Sequence, residues 1–319
     1  MASPNLTEIV TTTIDHYSSS LADNVLNHNP LLYHLNERGN VKPVSGGVRI
    51  FENLMYQENS TVKFYSGYEA LDVSASDVLT SAEFDWKQLN CNVTISGLEE
   101  GQNSSREAMH NLLESRIAVA EKTMQNTVAS SIYSNGTGTG GKEITGLQAA
   151  VADTPTSGTY GGINRGTYAF WRNQVVDGSS AAGTAVSATN IQTLMNKLWI
   201  RCVRNADMTD IITADANYYE FYWNSLQANQ RFTSDRKGSA GFESVAYKGD
   251  TTVYYDSNAP ANHMYFLNSD YLFFRPHSRR NFITDPERVS TNQDAIVVPL
   301  FWMGNMTCSN ASLQGVLKA

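Results

Sequence analysis

The spacing of apolar residues changes several times along the chain, and each change marks a different predicted element. Between residues 6 and 35 apolar side chains recur at loosely helical spacing in a stretch rich in Ser and Thr. Such a helix is weak on its own. Pro30 interrupts the pattern and Arg38-Gly39-Asn40 ends it. Residues 1–46 are therefore predicted to form an N-terminal arm that needs another surface to lie on.

Residues 47–98 show the every-second-residue pattern of β-strands. Val48 and Ile50 begin it, and Leu89, Cys91 and Val93 continue it on the return. A mostly polar stretch lies between these two runs, at 58–81. The pattern predicts two long antiparallel strands around an extended tip. Because an isolated hairpin is only marginally stable in water, we expect this one to need a partner.

The clearest predicted element is a helix over residues 104–134. Ser104 and Glu107 form a capping box, and apolar residues then recur every three to four positions as far as Ile132. Asn135-Gly136 follows as a C-terminal cap. At about 1.5 Å per residue the helix is roughly 45 Å long, which is unusual in a globular domain.

The remainder mixes helices and strands, so the predicted fold class is α+β. A Gly-, Ser- and Thr-rich region spans 136–187, and 190–203 has the spacing of an amphipathic helix. Ile211-Ile212-Thr213 is a predicted buried strand, and Asp215 can cap the helix that follows it. Further β-rich stretches are predicted at the following positions: 242–255, 264–274 and 294–317.

Composition narrows the function. The formal net charge is -8 and the sequence pI is about 5.3, which argues against a surface devoted to nucleic-acid phosphates. The three cysteines, Cys91, Cys202 and Cys308, form no CxxC pair, so neither a zinc ribbon nor a disulfide framework is predicted. The start has no secretory signal pattern, and the most apolar stretch, 295–303, is far short of a membrane span.

Two motifs could carry chemistry, and neither has the right context. Gly136 to Lys142 resembles a phosphate-binding glycine loop, but it follows a predicted helix C-terminus, where the helix dipole repels phosphate. Glu107 and His110 give one Glu-x-x-His, whereas a di-iron bundle needs two. We therefore predict no cofactor, no metal and no catalytic residue, with a nucleotide-binding enzyme built on the Gly136–Lys142 loop as the lesser alternative.

Aromatic and arginine side chains are the candidates for contacts between subunits. The run 275–280 is the one basic cluster, and its arginines can grip phosphate or pair with carboxylates of a neighbouring subunit. In an acidic chain we favour subunit pairing. Aromatic residues are enriched in contact surfaces. The candidates are Phe64, Tyr65, Tyr68, Trp86, Arg275, Arg279 and Arg280.

In this order the elements resemble the major capsid proteins of tailed bacteriophages, which have the Hong Kong 97-type fold. Asn135-Gly136-Thr137-Gly138 after the long helix and Ile211-Ile212-Thr213-Ala214-Asp215 carry part of the resemblance. The stretch from Leu54-Met55-Tyr56 to Trp86-Lys87 is similar to a prophage-type subgroup. The resemblance spans essentially the whole chain, although each stretch alone is weakly specific.

The resemblance implies a structural subunit, made in the bacterial cytoplasm, that assembles into an icosahedral virion shell around double-stranded DNA. It implies an N-terminal arm (1–46), an extended loop (47–98), a peripheral domain with the spine helix (99–150), a mainly axial domain (151–280) and C-terminal strands returning to the peripheral domain (281–319).

The expected partners are copies of the chain in hexamers and pentamers, a separate scaffolding protein, a portal and non-specifically packaged DNA. A decoration protein is a further candidate partner, and no membrane is expected. Some family members cross-link through a loop lysine. Lys63 lies in the loop, but no partner Asn can be matched to it. The shell of a bacterial nanocompartment is the alternative within the same fold.

Overall fold

The structure is a computed structural model that describes residues 29–102, 106–182, 185–226, 244–249, 251–286, 288–289 and 293–319. The helical pattern before residue 29 and Ser104 of the predicted capping box lie outside these residues. Apart from 3-10 turns and an irregular helical turn at Gly138–Gly141, the described helices are α1 (Pro30–Glu37), α2 (Gly97–Gln102), α3 (Arg106–Ser131), α4 (Leu147–Ala150), α5 (Gly178–Ala182), α6 (Ile191–Cys202) and α7 (Ala216–Ser225).

The described strands form two larger sheets and two short hairpins. They are β1 (Ile50–Met55), β2 (Leu79–Phe84), β3 (Lys87–Ser96), β4 (Thr159–Tyr160), β5 (Ile163–Asn164), β6 (Gln174–Asp177), β7 (Ile211–Ala214), β8 (Ser244–Ala246), β9 (Thr252–Tyr255), β10 (His263–Leu267), β11 (Leu272–Pro276), β12 (Ile283–Thr284), β13 (Arg288–Val289), β14 (Ala295–Cys308) and β15 (Gly315–Lys318).

Pro30 begins the first described helix. It is the first residue of α1, where its missing N–H costs no hydrogen bond. The side chain of Asn29 caps the helix by accepting from the backbone N–H groups of Leu31 and Leu32, at 2.9 and 3.2 Å. Leu31, Leu32 and Leu35 are fully buried, so α1 is part of the core.

The predicted pair of long strands is wrong on the return side. β1 pairs with β2 in a six-residue antiparallel ladder, and the chain then leaves the hairpin at Asp85 and Trp86. β3 pairs with β14 instead, over ten residues from Lys87 to Ser96. Val93 and Ile95 of β3 are buried in the main core, which explains why their alternation predicted a strand without identifying its partner.

The five-stranded sheet is organised around β14. β11, β12 and β13 pair with successive parts of one side of this strand, and β3 pairs with the other side. The long predicted helix is α3, which packs against β3. It ends at Ser131, four residues before the predicted cap at Asn135.

The six-stranded sheet has the order β6-β15-β10-β7-β9-β8 and is covered by α6 and α7. Both helices confirm their predicted positions, and the Asp215 side chain caps α7 by accepting from Tyr218 N–H at 3.0 Å. β7 is buried at all four positions, as predicted.

The two larger sheets divide the chain differently from the predicted boundary at residue 281. β15 belongs to the six-stranded sheet, where it pairs with β6 and β10. β11 belongs to the five-stranded sheet, through its ladder with β14. Val316 and Leu317 of β15 are completely buried, so the last strand is part of the core.

Candidate subunit interface

The loop between β1 and β2, residues 56–78, has no core of its own. Its large apolar side chains are exposed, and Phe64 and Tyr68 are as open to solvent as in an extended peptide. Soluble chains seldom leave such a set uncovered, because exposed apolar patches usually mark interaction surfaces. The exposed set is Val62, Phe64, Tyr65, Tyr68, Leu71 and Val73.

Local hydrogen bonds shape the loop. Asn59 Oδ1 accepts from the backbone N–H of Thr61 at 3.0 Å, and the Lys63 ammonium donates to the Ala70 carbonyl at 2.5 Å. At the root of the loop, Tyr56 N–H donates to Val78 O at 3.1 Å and continues the ladder of β1 and β2. These contacts turn the loop but cover none of its aromatic rings.

The root of the hairpin is fixed to the five-stranded sheet by a buried ion pair. Glu52 points inward from β1 and accepts two hydrogen bonds from the Arg275 guanidinium, at 2.8 and 2.9 Å. The Thr307 hydroxyl of β14 donates to the same carboxylate at 2.8 Å. The Arg275 and Glu52 side chains are 17% and 9% exposed. Arg275 is thus bound within its own chain, and its predicted contact with a neighbouring subunit stays a prediction.

The other predicted contact residues lie near one another beyond this ion pair. Trp86 donates its indole N–H to Gly47 O at 2.8 Å, and its ring meets the His277 ring edge-on at 5.4 Å. Arg279 and Arg280 follow on an exposed turn, where the Arg280 guanidinium lies over the Phe301 ring. The structure therefore leaves two arginines of the basic cluster facing solvent.

Two aspartates that the sequence analysis did not identify, the buried Asp256 and the partly buried Asp210, connect the segment after residue 28 to the rest of the chain. Asp256 accepts hydrogen bonds from Asn29 Nδ2 at 3.1 Å and from the Tyr133 hydroxyl at 2.9 Å. Asp210 binds His34 Nε2 at 2.8 Å. Burial raises the pKa of Asp210, but hydrogen bonds from His34 and Ser269 outweigh it and lower that pKa overall.

The glycine loop after α3 contains a carboxylate where a phosphate would have to bind. Gly138 lies so close to Glu143 that an added Cβ would meet Oε1 at 2.2 Å. Ser134 and Thr139 hydroxyls donate to this carboxylate at 2.9 and 3.2 Å. A second anion here would be repelled. Across the described part of the chain there is also no cluster of His, Cys, Asp or Glu suited to a metal ion.

A second ion pair shifts the pKa of a histidine in the six-stranded sheet. His263, at the start of β10, lies with Nε2 3.1 Å from Asp153 Oδ2. The Asp153 hydrogen bond raises the pKa of His263, and the Asp215 charge adds to this effect. The same hydrogen bond lowers the pKa of Asp153, and the Lys318 charge contributes.

We expect this pair to stabilise the subunit most at mildly acidic pH. A raised histidine pKa gives stability that is complete below about 6.5, the unfolded value, and is lost as pH rises through the folded pKa. Between pH 6 and 8.5 the melting temperature of the unassembled wild-type chain should therefore fall further than that of the His263→Gln chain. Equal losses in the two chains would contradict this prediction.

Comparisons with solved structures identify the fold. Similar structures include the cyanophage A-1(L) capsid, with a TM-score of 0.67 and 18% identity over 92% of this chain and 93% of that one. The capsid of the native GTA particle matches with a TM-score of 0.58 and 13% identity, over 89% of each chain. The SrpI encapsulin of Synechococcus elongatus PCC 7942 matches with a TM-score of 0.55 and 9% identity, over 88% of this chain and 84% of that one. Among curated proteins no sequence matches.

These likenesses show that the chain has the Hong Kong 97-type capsid fold, with its mixed helices and sheets. The sequence profile of the SU10 major capsid protein family matches residues 89–298, about two thirds of the chain. The chain belongs to this family. It is a structural subunit of a phage virion shell that assembles from many copies. No described helix is long and apolar enough to cross a membrane.

Proposed function

We propose that the loop 56–78 is the main contact through which one subunit holds the next in the shell. The observation that carries this proposal is the set of exposed apolar side chains between Val62 and Val73, which their own chain leaves uncovered. Burying apolar surface contributes about 25 cal/mol per Å². Six such side chains can therefore drive assembly once a neighbour covers them.

The exposed turn at Arg279 and Arg280 serves as a second, electrostatic contact in this proposal. The loop carries Glu58, Glu69, Asp72 and Asp77 against one cation, Lys63, so it is acidic. Guanidinium groups pair well with carboxylates. Trp86 lies beside this turn through its contact with His277 and completes the proposed contact set.

The proposed shell encloses double-stranded DNA without reading its sequence, and a separate scaffolding protein and a portal take part in assembly. The net charge of -8 fits an enclosing wall better than a surface that binds phosphates throughout. The alternative is the shell of a nanocompartment, since an encapsulin shares the fold. The match to a phage capsid family favours the virion.

The subunit performs no catalysis in this proposal, because the glycine loop is occupied by the Glu143 carboxylate. We expect sedimentation of the purified chain, with scaffold present, to show capsomers or shells. Calorimetry with millimolar ATP should give no saturable heat, and Lys142→Ala should assemble like wild type. A chain that stays monomeric under every condition contradicts the shell role, and saturable ATP binding lost in Lys142→Ala favours the enzyme alternative.

A further inference from the structure

The turn after α3 contains the only Asn-Gly pair in the sequence, Asn135-Gly136. An Asn side chain cyclises when the backbone nitrogen of the next residue attacks its carboxamide carbon, and a glycine leaves that nitrogen unhindered because it has no Cβ. Asn135 is exposed, and Gly136 has a φ of 76°, which glycine adopts readily. The pair is therefore open to this reaction, and the groups around it set the rate.

A hydrogen-bonded relay leads away from the attacking nitrogen. The Gly136 N–H donates to Ser134 Oγ at 3.0 Å, and the Ser134 hydroxyl donates in turn to Glu143 Oε2 at 2.9 Å. The other oxygen of this carboxylate accepts from the Thr139 hydroxyl at 3.2 Å, which holds the group in place. A backbone amide is a weak nucleophile until it loses its proton, and a positioned base activates it. The relay gives the Gly136 proton a path to Glu143.

Two donors meet the oxygen of the carboxamide that is attacked. Asn135 Oδ1 accepts from the backbone N–H of Thr137 at 3.0 Å and from the Thr137 hydroxyl at 2.7 Å. Attack on the carboxamide carbon moves negative charge onto this oxygen, and donors already aimed at it stabilise that charge. Nucleophile, base and oxyanion donors thus all come from one turn, residues 134–143.

Helix capping does not account for these contacts. A C-terminal cap directs the N–H groups that follow a helix to the last carbonyls of that helix. The N–H groups of Gly136 and Thr137 go to side-chain oxygens instead. They therefore serve the Asn-Gly pair and leave the end of α3 to other donors, such as the Leu147 N–H, which binds Ile132 O at 2.7 Å.

We propose that Asn135 and Gly136 form a cyclic imide in the folded chain, with Glu143 taking the amide proton through Ser134. Rotation of the Asn135 side chain brings its carboxamide carbon to the Gly136 nitrogen. The new carbon–nitrogen bond forms, the bond from that carbon to Nδ2 breaks, and Nδ2 leaves as ammonia with the proton that Glu143 had taken. Water then opens the imide at either carbonyl, which leaves aspartate or isoaspartate. Either product adds one negative charge beside Glu143, at the C-terminal end of α3.

The rate in the folded chain, compared with the same chain unfolded in urea, tests this proposal. Peptide mapping by mass spectrometry follows the loss of Asn135 at neutral pH. We expect conversion at least about tenfold faster in the folded chain, since a positioned base contributes about a hundredfold or more. Both aspartate and isoaspartate should appear, because direct hydrolysis of the side chain gives aspartate alone. An equal or slower rate in the folded chain, or aspartate as the single product, overturns the inference.

Glu143→Gln isolates the base, with Lys142→Ala as its matched control in the same turn. Glutamine keeps the size of the side chain and an oxygen that can accept from Ser134, whereas Lys142 is exposed and takes part in none of these hydrogen bonds. We expect Glu143→Gln to fall to the rate of the unfolded chain and Lys142→Ala to keep the wild-type rate. A Glu143→Gln chain that melts like wild type and converts at the wild-type rate contradicts the relay.

The pH dependence of the wild-type rate gives an answer that needs no variant. Where hydroxide removes the amide proton, the rate rises about tenfold with each pH unit. Where a carboxylate removes it, the rate changes little between pH 6 and 8, because carboxylates are ordinarily charged throughout this range. We expect the steep dependence in urea and in Glu143→Gln, and the shallow one in the folded wild-type chain. A steep dependence in the folded wild-type chain overturns the inference.

Discussion

A chain in which an Asn-Gly turn replaces residues 57–77 is expected to fold and to form no closed shells. Tyr56 and Val78 already pair at the root of the loop, so a two-residue turn can close the hairpin there. Shortening the loop changes the closure entropy by only about 2 kcal/mol, and in favour of folding. The cut stops before β2, because Ala82 and Phe84 of this strand are buried.

The loss of shells in this variant follows from the loss of apolar contact surface, and sedimentation with electron microscopy measures it. Circular dichroism and a cooperative melt check the fold of the unassembled chain. Ser60→Ala with Ser66→Ala is the control, since it changes polar residues of the same loop and should leave assembly intact. Regular shells from the shortened chain would contradict the proposed contact, and a chain that fails to fold would place the loop in the folding core.

Local periodicity predicted the helices of this fold well, because a helix bonds within its own segment. α3, α6 and α7 each lie where spacing of apolar residues indicated. The partner of a strand, by contrast, can lie far away in the sequence and was not predicted. β3 alternates as a hairpin strand would, yet its partner β14 lies about two hundred residues later in the chain. Alternation reports that one face is buried and carries no information about the neighbouring strand.

The candidate interface was also predictable only where the signal is local in sequence. Phe64 and Tyr68 lie in a polar stretch without apolar periodicity, and the structure leaves them exposed. Their contact with another subunit stays a prediction. The pairing of Arg275 with Glu52 was not predicted, because Glu52 is 223 positions away in sequence. One signal was present, since Glu52 alternates with Ile50 and Leu54 and so had to point inward with them.

Glu52→Ala is expected to destabilise the subunit by about 3 to 5 kcal/mol, because it leaves the Arg275 guanidinium buried without its carboxylate. The Thr307 hydroxyl loses its acceptor in the same variant. Only the Phe273 ring, 4.7 Å from the guanidinium carbon, remains as a partner for the charge among these contacts. Urea unfolding of the unassembled chain, followed by circular dichroism, measures the loss.

Glu83→Ala is the matched control for this prediction, because it removes the other Glu–Arg pair of the same hairpin. Glu83 binds Arg49 with side chains 40% and 49% exposed, and solvent screening leaves such an exposed pair little effect on stability. Replacing both Glu52 and Arg275 with leucine should recover most of the stability, since no buried charge is then left alone. A Glu52→Ala chain no less stable than Glu83→Ala would show that the buried pair does not hold the hairpin root to the sheet.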